Sequence, residues 1–331
     1  MAHYDLSKIL QRELWTTEDI NESPELLNFY NSGILTRDTR IKKMVNANDM
    51  GTRLEIPFLK IGDYIEPNIS DDSTNLADVN DFEKIRQFAL LGNYNQVWGS
   101  YDIARMLDSG NDPFIVIRDY IARYWSYDIK HRMASMAIGI LENNKDKNDS
   151  DLHLDKSGEN YSYEMIIDTH ALKGDRGMSG SDFMIMHSKA LASIKKEDSG
   201  RIRAVLNESN GKLMYHLYDE NSIIIVDDIM PFDGENTTVL FADMGSVIFE
   251  ESDNVTNPLM FERDELIGDG GGKEIVITRK RYLLSYNGFS YLGVNQEKST
   301  GATLTELQDK DNYERIVDKK LSPISFLTFA V

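Results

Sequence analysis

The sequence predicts an α+β protein, and three observations carry that expectation. One uninterrupted helical stripe runs from about Asp112 to Asn143. Beyond residue 160, short β-branched-rich strands alternate with helices. Before the long helix, two strand-like arms flank a polar stretch, the pattern of a long hairpin. The chain has 331 residues, enough for about two domains or one elaborated domain and for a sizeable core. Its 41% hydrophobic and 27% charged residues are an ordinary soluble, globular mixture.

Charge and cysteine usage exclude several function classes. With 36 Lys+Arg against 55 Asp+Glu, the net charge is 36 − 55 = −19, which argues against a dedicated nucleic-acid binder. Zero Cys removes disulfides, thiolate metal sites and Cys nucleophiles together. The start, Met1-Ala2-His3-Tyr4-Asp5, lacks the basic and apolar regions of a signal peptide. No apolar run approaches the length of a membrane span. The acidity is concentrated: Leu217 to Leu266 holds 13 Asp/Glu and a single basic residue, Arg263. A solvated acidic surface is expected there.

In chain order, residues 1–50 read as an extended or partly helical arm, with a short helix start at Ser23-Pro24-Glu25. Arg53 to Ile61 alternates and reads as a strand, with Pro57 pointing to an edge. Residues 62–81 are rich in turn formers, and Phe82 to Trp98 is again strand-like. A hairpin of this length, some 35–50 Å, is expected to lie on a neighbour rather than on its own core. The long helix carries Phe114, Ile117, Ile121, Trp125, Ile129, Met133 and Ile140 at helical spacing, with Pro113 at its first position. Glu142 to Gly158 is a polar breaker. Then follow a helix over Tyr161–Leu172, a strand over Asp182–Met186, a helix over Ser188–Lys196, strands over Ser222–Asp227 and Thr238–Ala242, and a long strand over Lys273–Tyr286. Ile316 to Val331 reads as two strands around Pro323.

The search for chemistry returns no catalytic, cofactor-binding or metal-ligating set. Gly268 to Lys273 has the wrong glycine spacing for a phosphate loop, and Glu274 stands where a hydroxyl is needed. Gly177-Met178-Ser179-Gly180-Ser181 is not a nucleophile elbow. The acidic tracts lack the Gly and Glu of a calcium loop. The helix aromatics Phe114, Tyr120, Tyr124, Trp125 and Tyr127 are expected in core or interface rather than as a base-stacking platform.

Several segments, in order, resemble one family. Lys84-Ile85-Arg86-Gln87 is followed by a stretch with Trp98, Asp102, Ala104, Leu107, Asp112 and Pro113, which leads into Tyr124-Trp125. Later come Met186-His187-Ser188, then Gly288-Phe289-Ser290-Tyr291, and Tyr313-Glu314-Arg315 before Lys319-Lys320. The set resembles tailed-phage major capsid proteins of the Hong Kong 97 fold, from roughly Arg53 to the end. Tyr291 stands where Trp is common, and Ile316-Val317 replaces a Val-Tyr pair.

The resemblance implies an N-terminal arm at 1–50 and an extended hairpin, the E-loop, at 51–98. It implies a peripheral domain from 99–159 and 263–287, with a spine helix at about 112–143, and a mixed α/β axial domain from 160–262 and 288–331. It implies self-assembly as hexamers and pentamers into an icosahedral shell around the phage genome, without catalysis or cofactor. Implied partners are copies of the chain itself, portal, scaffolding or decoration proteins, and double-stranded DNA held without sequence-specific binding, with no membrane. The implied location is the virion, and host cytoplasm during assembly. Two other readings stand beside it: a soluble α/β enzyme of unrecognised type, and the shell of a cellular nanocompartment with the same fold.

Overall fold

The structure is a computed structural model. It describes residues 34–48, 53–59, 66, 84–100, 113–206, 213–219, 222–264 and 273–331. The expected helix start at Ser23, the hairpin tip and the glycine-rich run at 268–272 lie outside the described residues.

A short strand β1 (Leu35–Thr36) leads to helix α1 (Thr39–Ala47), whose N-cap Asp38 accepts the Arg40 N–H at 2.8 Å. The hairpin arms are β2 (Arg53–Leu59) and β3 (Lys84–Ser100), paired antiparallel from Arg53↔Leu90 to Leu59↔Lys84. Helix α2 (Pro113–Lys147) is 35 residues long, about 52 Å at 1.5 Å per residue. It runs four residues past the expected end at Asn143, into the polar breaker, and stops where Asp149 and Ser150 take left-handed φ values of 51° and 55°.

Next come β4 (His153–Asn160), α3 (Tyr163–Ala171), β5 (Phe183–Met186), α4 (Ser188–Glu197), β6 (Ile202–Leu206), β7 (Leu213–Tyr218), β8 (Ser222–Val226) and β9 (Asn236–Ala242). The chain then forms β10 (Val247–Glu251), β11 (Leu259–Asp264), β12 (Lys273–Tyr286), β13 (Phe289–Tyr291), α5 (Leu304–Leu307), β14 (Tyr313–Arg315) and β15 (Ile324–Ala330).

These strands make two large sheets. In the first the order is β1-β10-β12-β3-β2, with β11 also on β12. In the second it is β4-β15-β9-β5-β8-β7-β6. Strand β12 is the axis of the first sheet, pairing β3 from Glu274↔Ser100 to Leu284↔Leu90 and β10 or β11 on its other side.

Pairing cuts the chain differently from the expected domain limits. Strands β10 and β11, expected with the axial part, belong to the first sheet, because β12 offers them its free edge. Strand β4, expected with the peripheral part, joins the second sheet beside β15. Only β15 forms in the final stretch, because residues 316–322 turn through a short 3-10 segment at Lys319–Leu321.

The base of the hairpin does pack on its own chain, contrary to expectation. Leu54, Ile56, Ala89 and Leu91 are buried with Ile248 and Leu283 beneath Ile41 and Val45 of α1. Helix α2 lies between the sheets. Its Ile129, Met133, Ala137, Ile140 and Leu141 share one core with Leu90 and Leu284 of the first sheet and Ile185, Leu240 and Phe326 of the second. The opposite face of the second sheet is covered by α3 and α4, through Met165, Ile166, Leu191 and Ile194.

Candidate functional site

Several of the residues singled out in the sequence lie on α2 and its seams with the two sheets. Towards its N-terminal end, Ile121 and Trp125 pack on Val276, and the Trp125 indole N–H donates to Thr278 Oγ1 at 3.3 Å. Trp98 stands edge-on to Tyr124, with ring centroids 5.3 Å apart. Two turns on, Arg132 lies over the Tyr94 ring at 3.7 Å, donates to Asp128 at 3.0 Å and to the Ala302 carbonyl at 2.7 Å. The Tyr282 hydroxyl donates to the same Asp128 at 2.7 Å, and burial raises its pKa well above the ordinary phenol value. Asp128 and Arg132 therefore face inward as a satisfied pair rather than lying on a solvated helix face.

The second half of α2 is buried on nearly every side. The Tyr286 hydroxyl donates to the Met133 carbonyl at 3.1 Å. Asn143 donates to the carbonyls of Lys310 and Tyr313, at 2.7 and 2.8 Å. Asn144 donates to Asp151 at 2.8 Å, and Arg315 grips that carboxylate with two bonds of 2.7 and 2.9 Å. Burial raises the Asp151 pKa, but the bonds from Arg315 and Asn144 outweigh it and leave it below the ordinary value.

Other sequence-stretch residues have local roles. Gln87 is buried in the first sheet and donates to Ser285 Oγ and the Tyr286 carbonyl, at 2.9 and 2.8 Å. His187 is the N-cap of α4: its Nδ1 accepts the Lys189 N–H at 3.0 Å. Glu314 is exposed.

Along its full length the chain is 27% identical to "Major capsid protein" of Bacillus phage SPP1, over 338 residues and 98% of each chain. The chain is a homologue of a phage major capsid protein. No family model matches it. Among solved structures, a chain described as Mycobacterium phage Adephagia matches at a TM-score of 0.51, with 8% identity over 100% of this chain and 99% of that one. The capsid of an empty GTA particle computed with C5 symmetry matches at 0.48, with 13% identity over 90% and 92%. The holo-SrpI encapsulin complex of Synechococcus elongatus matches at 0.47, with 14% identity over 99% and 95%. The Hong Kong 97 fold is consistent with the likeness to the Adephagia chain and with the sequence relative. The full-length sequence relative names a capsid protein.

In this capsid-protein homologue, Ile121, Trp125, Ile129, Met133 and Ile140 are all buried along α2. The structure brings Trp98 to the same helix, and Arg315 to its C-terminal end through Asp151. Asp102, Ala104, Leu107 and Asp112 lie outside the described residues. Phe114, Ile117 and Pro113 are placed in the helix by their backbone alone.

Sequence reasoning missed two groups. The Tyr94–Arg132–Asp128–Tyr282 cluster had one visible signal, the Asp128/Arg132 pair four residues apart. The buried Lys173, bonded to Asp243 at 2.9 and 3.1 Å, had none. Among the described residues there is no cluster of metal-ligating side chains. No described helix is long and apolar enough to cross a membrane.

Proposed function

We propose that this chain is the major capsid protein of a tailed phage. It would self-assemble as hexamers and pentamers into a closed icosahedral shell around double-stranded DNA. The observation that carries the reading is the match to the Bacillus phage SPP1 major capsid protein across 98% of both chains. The long buried helix joining two sheets supports it, since such a beam transmits load between the parts of a wall. In this reading residues 1–50 are the arm, 51–98 the extended hairpin, 99–159 with 263–287 the peripheral part, and 160–262 with 288–331 the axial part. The strand pairings argue for moving β10 and β11 to the peripheral sheet and β4 to the axial one.

The protein works by packing rather than catalysis, with many modest interfaces closing a stable shell. It resides in the virion, after assembly in host cytoplasm with portal and scaffolding or decoration proteins. Electron microscopy of the purified full chain tests this. Capsomers or shells are the expected result, and discrete monomers under every condition overturn it. Shells purified from the native source with a packaged enzyme instead of DNA would favour the nanocompartment reading.

A further inference from the structure

Helix α4 covers one flank of the second sheet with little apolar surface. Of its ten residues, Leu191 and Ile194 are the only large apolar side chains, and both are buried in the cluster that holds Met184, Met186 and Ile224. A helix this short does not form alone in water, so contacts at its two ends decide whether it stays docked. At each end a histidine accepts a hydrogen bond. His187 caps the N-terminus, its Nδ1 taking the Lys189 N–H at 3.0 Å. In the last turn, Lys195 Nζ donates to Nε2 of His216, on β7, at 3.0 Å. An amide N–H and an ammonium can only donate, so both bonds need an unprotonated ring nitrogen.

The neighbours of each ring decide what a proton does there. Beside His187, Asp228 lies just past β8, 3.7 Å from Nε2, and accepts the Ser188 N–H at 3.1 Å. The Phe232 ring stands 5.1 Å away, and Lys130 of α2 acts on the same carboxylate. A proton on His187 removes the cap, places a cation at the positive end of the helix dipole and draws Asp228 from Ser188 towards the ring. The ion pair so formed is exposed and recovers little. Lys195 is the one charged group that bears on His216 among the described residues, and Ala204 and Ile224 stand opposite it on β6 and β8. Its Nδ1 is buried without a hydrogen-bond partner among the described residues. Burial first, and then Lys195, hold its pKa below the ordinary imidazole value. A proton there sets two cations 3.0 Å apart. Past the C-terminal end, Tyr161 and Tyr218 donate to Asp198, and no histidine takes part in that joint.

We propose that α4 is an acid-sensitive latch, closed over the second sheet at neutral pH and opening as pH falls below about 6.5, so that Met184, Met186 and Ile224 are uncovered. Both histidine bonds fail in the same direction, and the Asp198 joint keeps the opening local. The inference concerns the single chain and stands whether or not that chain builds a shell.

The test is amide hydrogen exchange of the full-length chain, read by mass spectrometry at about pH 7.5 and pH 5.5 and corrected for the intrinsic rate at each pH. Peptides over residues 187–197 report on α4, and peptides from the second half of α2 report on the whole molecule. In wild type, acid should lower protection of α4 about tenfold more than that of α2. His187→Asn keeps a side-chain acceptor for the Lys189 N–H, and His216→Gln keeps one for Lys195, but neither replacement titrates. The double variant should match wild type at the higher pH and lose the extra acid effect to within about twofold. Each single variant should lose part of it, which keeps the test alive if the double variant folds poorly. His187→Ala should leave the first turn of α4 open at both pH values. An equal acid loss in α4 and α2 of wild type overturns the proposal, because it would mark general destabilisation. So does an undiminished α4-specific loss in the variants, which would place the titrating group elsewhere.

Discussion

Gly139, in the middle of α2, offers a test in which two effects of opposite sign compete. Replacing a helix-interior glycine with alanine ordinarily stabilises by about 1 kcal/mol, because Ala loses less backbone entropy. Here a Cβ would stand 2.4 Å from the Leu307 carbonyl oxygen and 2.4 Å from Tyr313 Cε2. Neither neighbour can yield cheaply. The Tyr313 ring is buried, its hydroxyl donates to that same Leu307 carbonyl at 2.6 Å, and it packs edge-on to Tyr291 at 5.6 Å. Overpacking a filled core costs about 1–3 kcal/mol, and a contact with backbone belongs at the upper end. Gly139→Ala should therefore destabilise by about 1–2 kcal/mol net. Urea unfolding of the unassembled chain, followed by circular dichroism, reads this as a lower midpoint at unchanged slope. A midpoint equal to or above wild type would refute the close packing of α2 against α5 and β14.

Further outcomes are expected from the same structure. His153 and His170 are pushed down to about 4, chiefly by burial, so the unfolded chain takes up protons first as pH falls below about 6.5. Their contribution is fully present above that pH and shrinks towards pH 4. After discounting for partial exposure, the two together lower stability by about 2 kcal/mol at pH 5, and a melting temperature unchanged between pH 7 and 5 would contradict this. His187→Ala removes the α4 cap and should cost about 1 kcal/mol, while His187→Asn should restore most of it, as thermal melts can show. Arg315→Lys breaks the two-bond grip on Asp151 and should cost about 1 kcal/mol in urea. Because every copy is strongly acidic, assembly followed by light scattering should speed up as salt rises from 20 to 150 mM. A monotonic slowdown would show that interfacial ion pairs dominate.

The long, periodic elements were legible from sequence and the short, dependent ones were not. Helix α2 and strand β12 each declare themselves over many residues, so local pattern and global fold agree. Helix α1 has only Ile41 and Val45 buried in a polar run, and it exists because the hairpin base and Ile248 supply the other half of its core. Strands β10 and β11 look like any short strand, and only their non-local pairing with β12 assigns them to the first sheet. The α2 aromatics expected in core or interface divide: Trp125 is buried, whereas Tyr120 and Tyr127 are open. A helical stripe predicts which face meets the first partner but not whether a second sheet covers the rest.

Charge placement explains how an acidic chain can hold so large a core. Within the acidic stretch from Leu217 to Leu266, four described carboxylates turn inward and each meets a donor. Asp227 pairs with His131, Asp243 with Lys173, Glu251 with Lys280, and Glu250 accepts the Asp38 N–H at 2.7 Å. These inward acids hold structural joints, between α2 and the end of β8, and between the N-cap of α1 and β10. Asp219, Asp228, Asp233, Glu235, Asp253, Glu262 and Asp264 stay exposed, on both sheets rather than on one domain. The excess negative charge therefore lies where water screens it, and the buried part is neutralised locally.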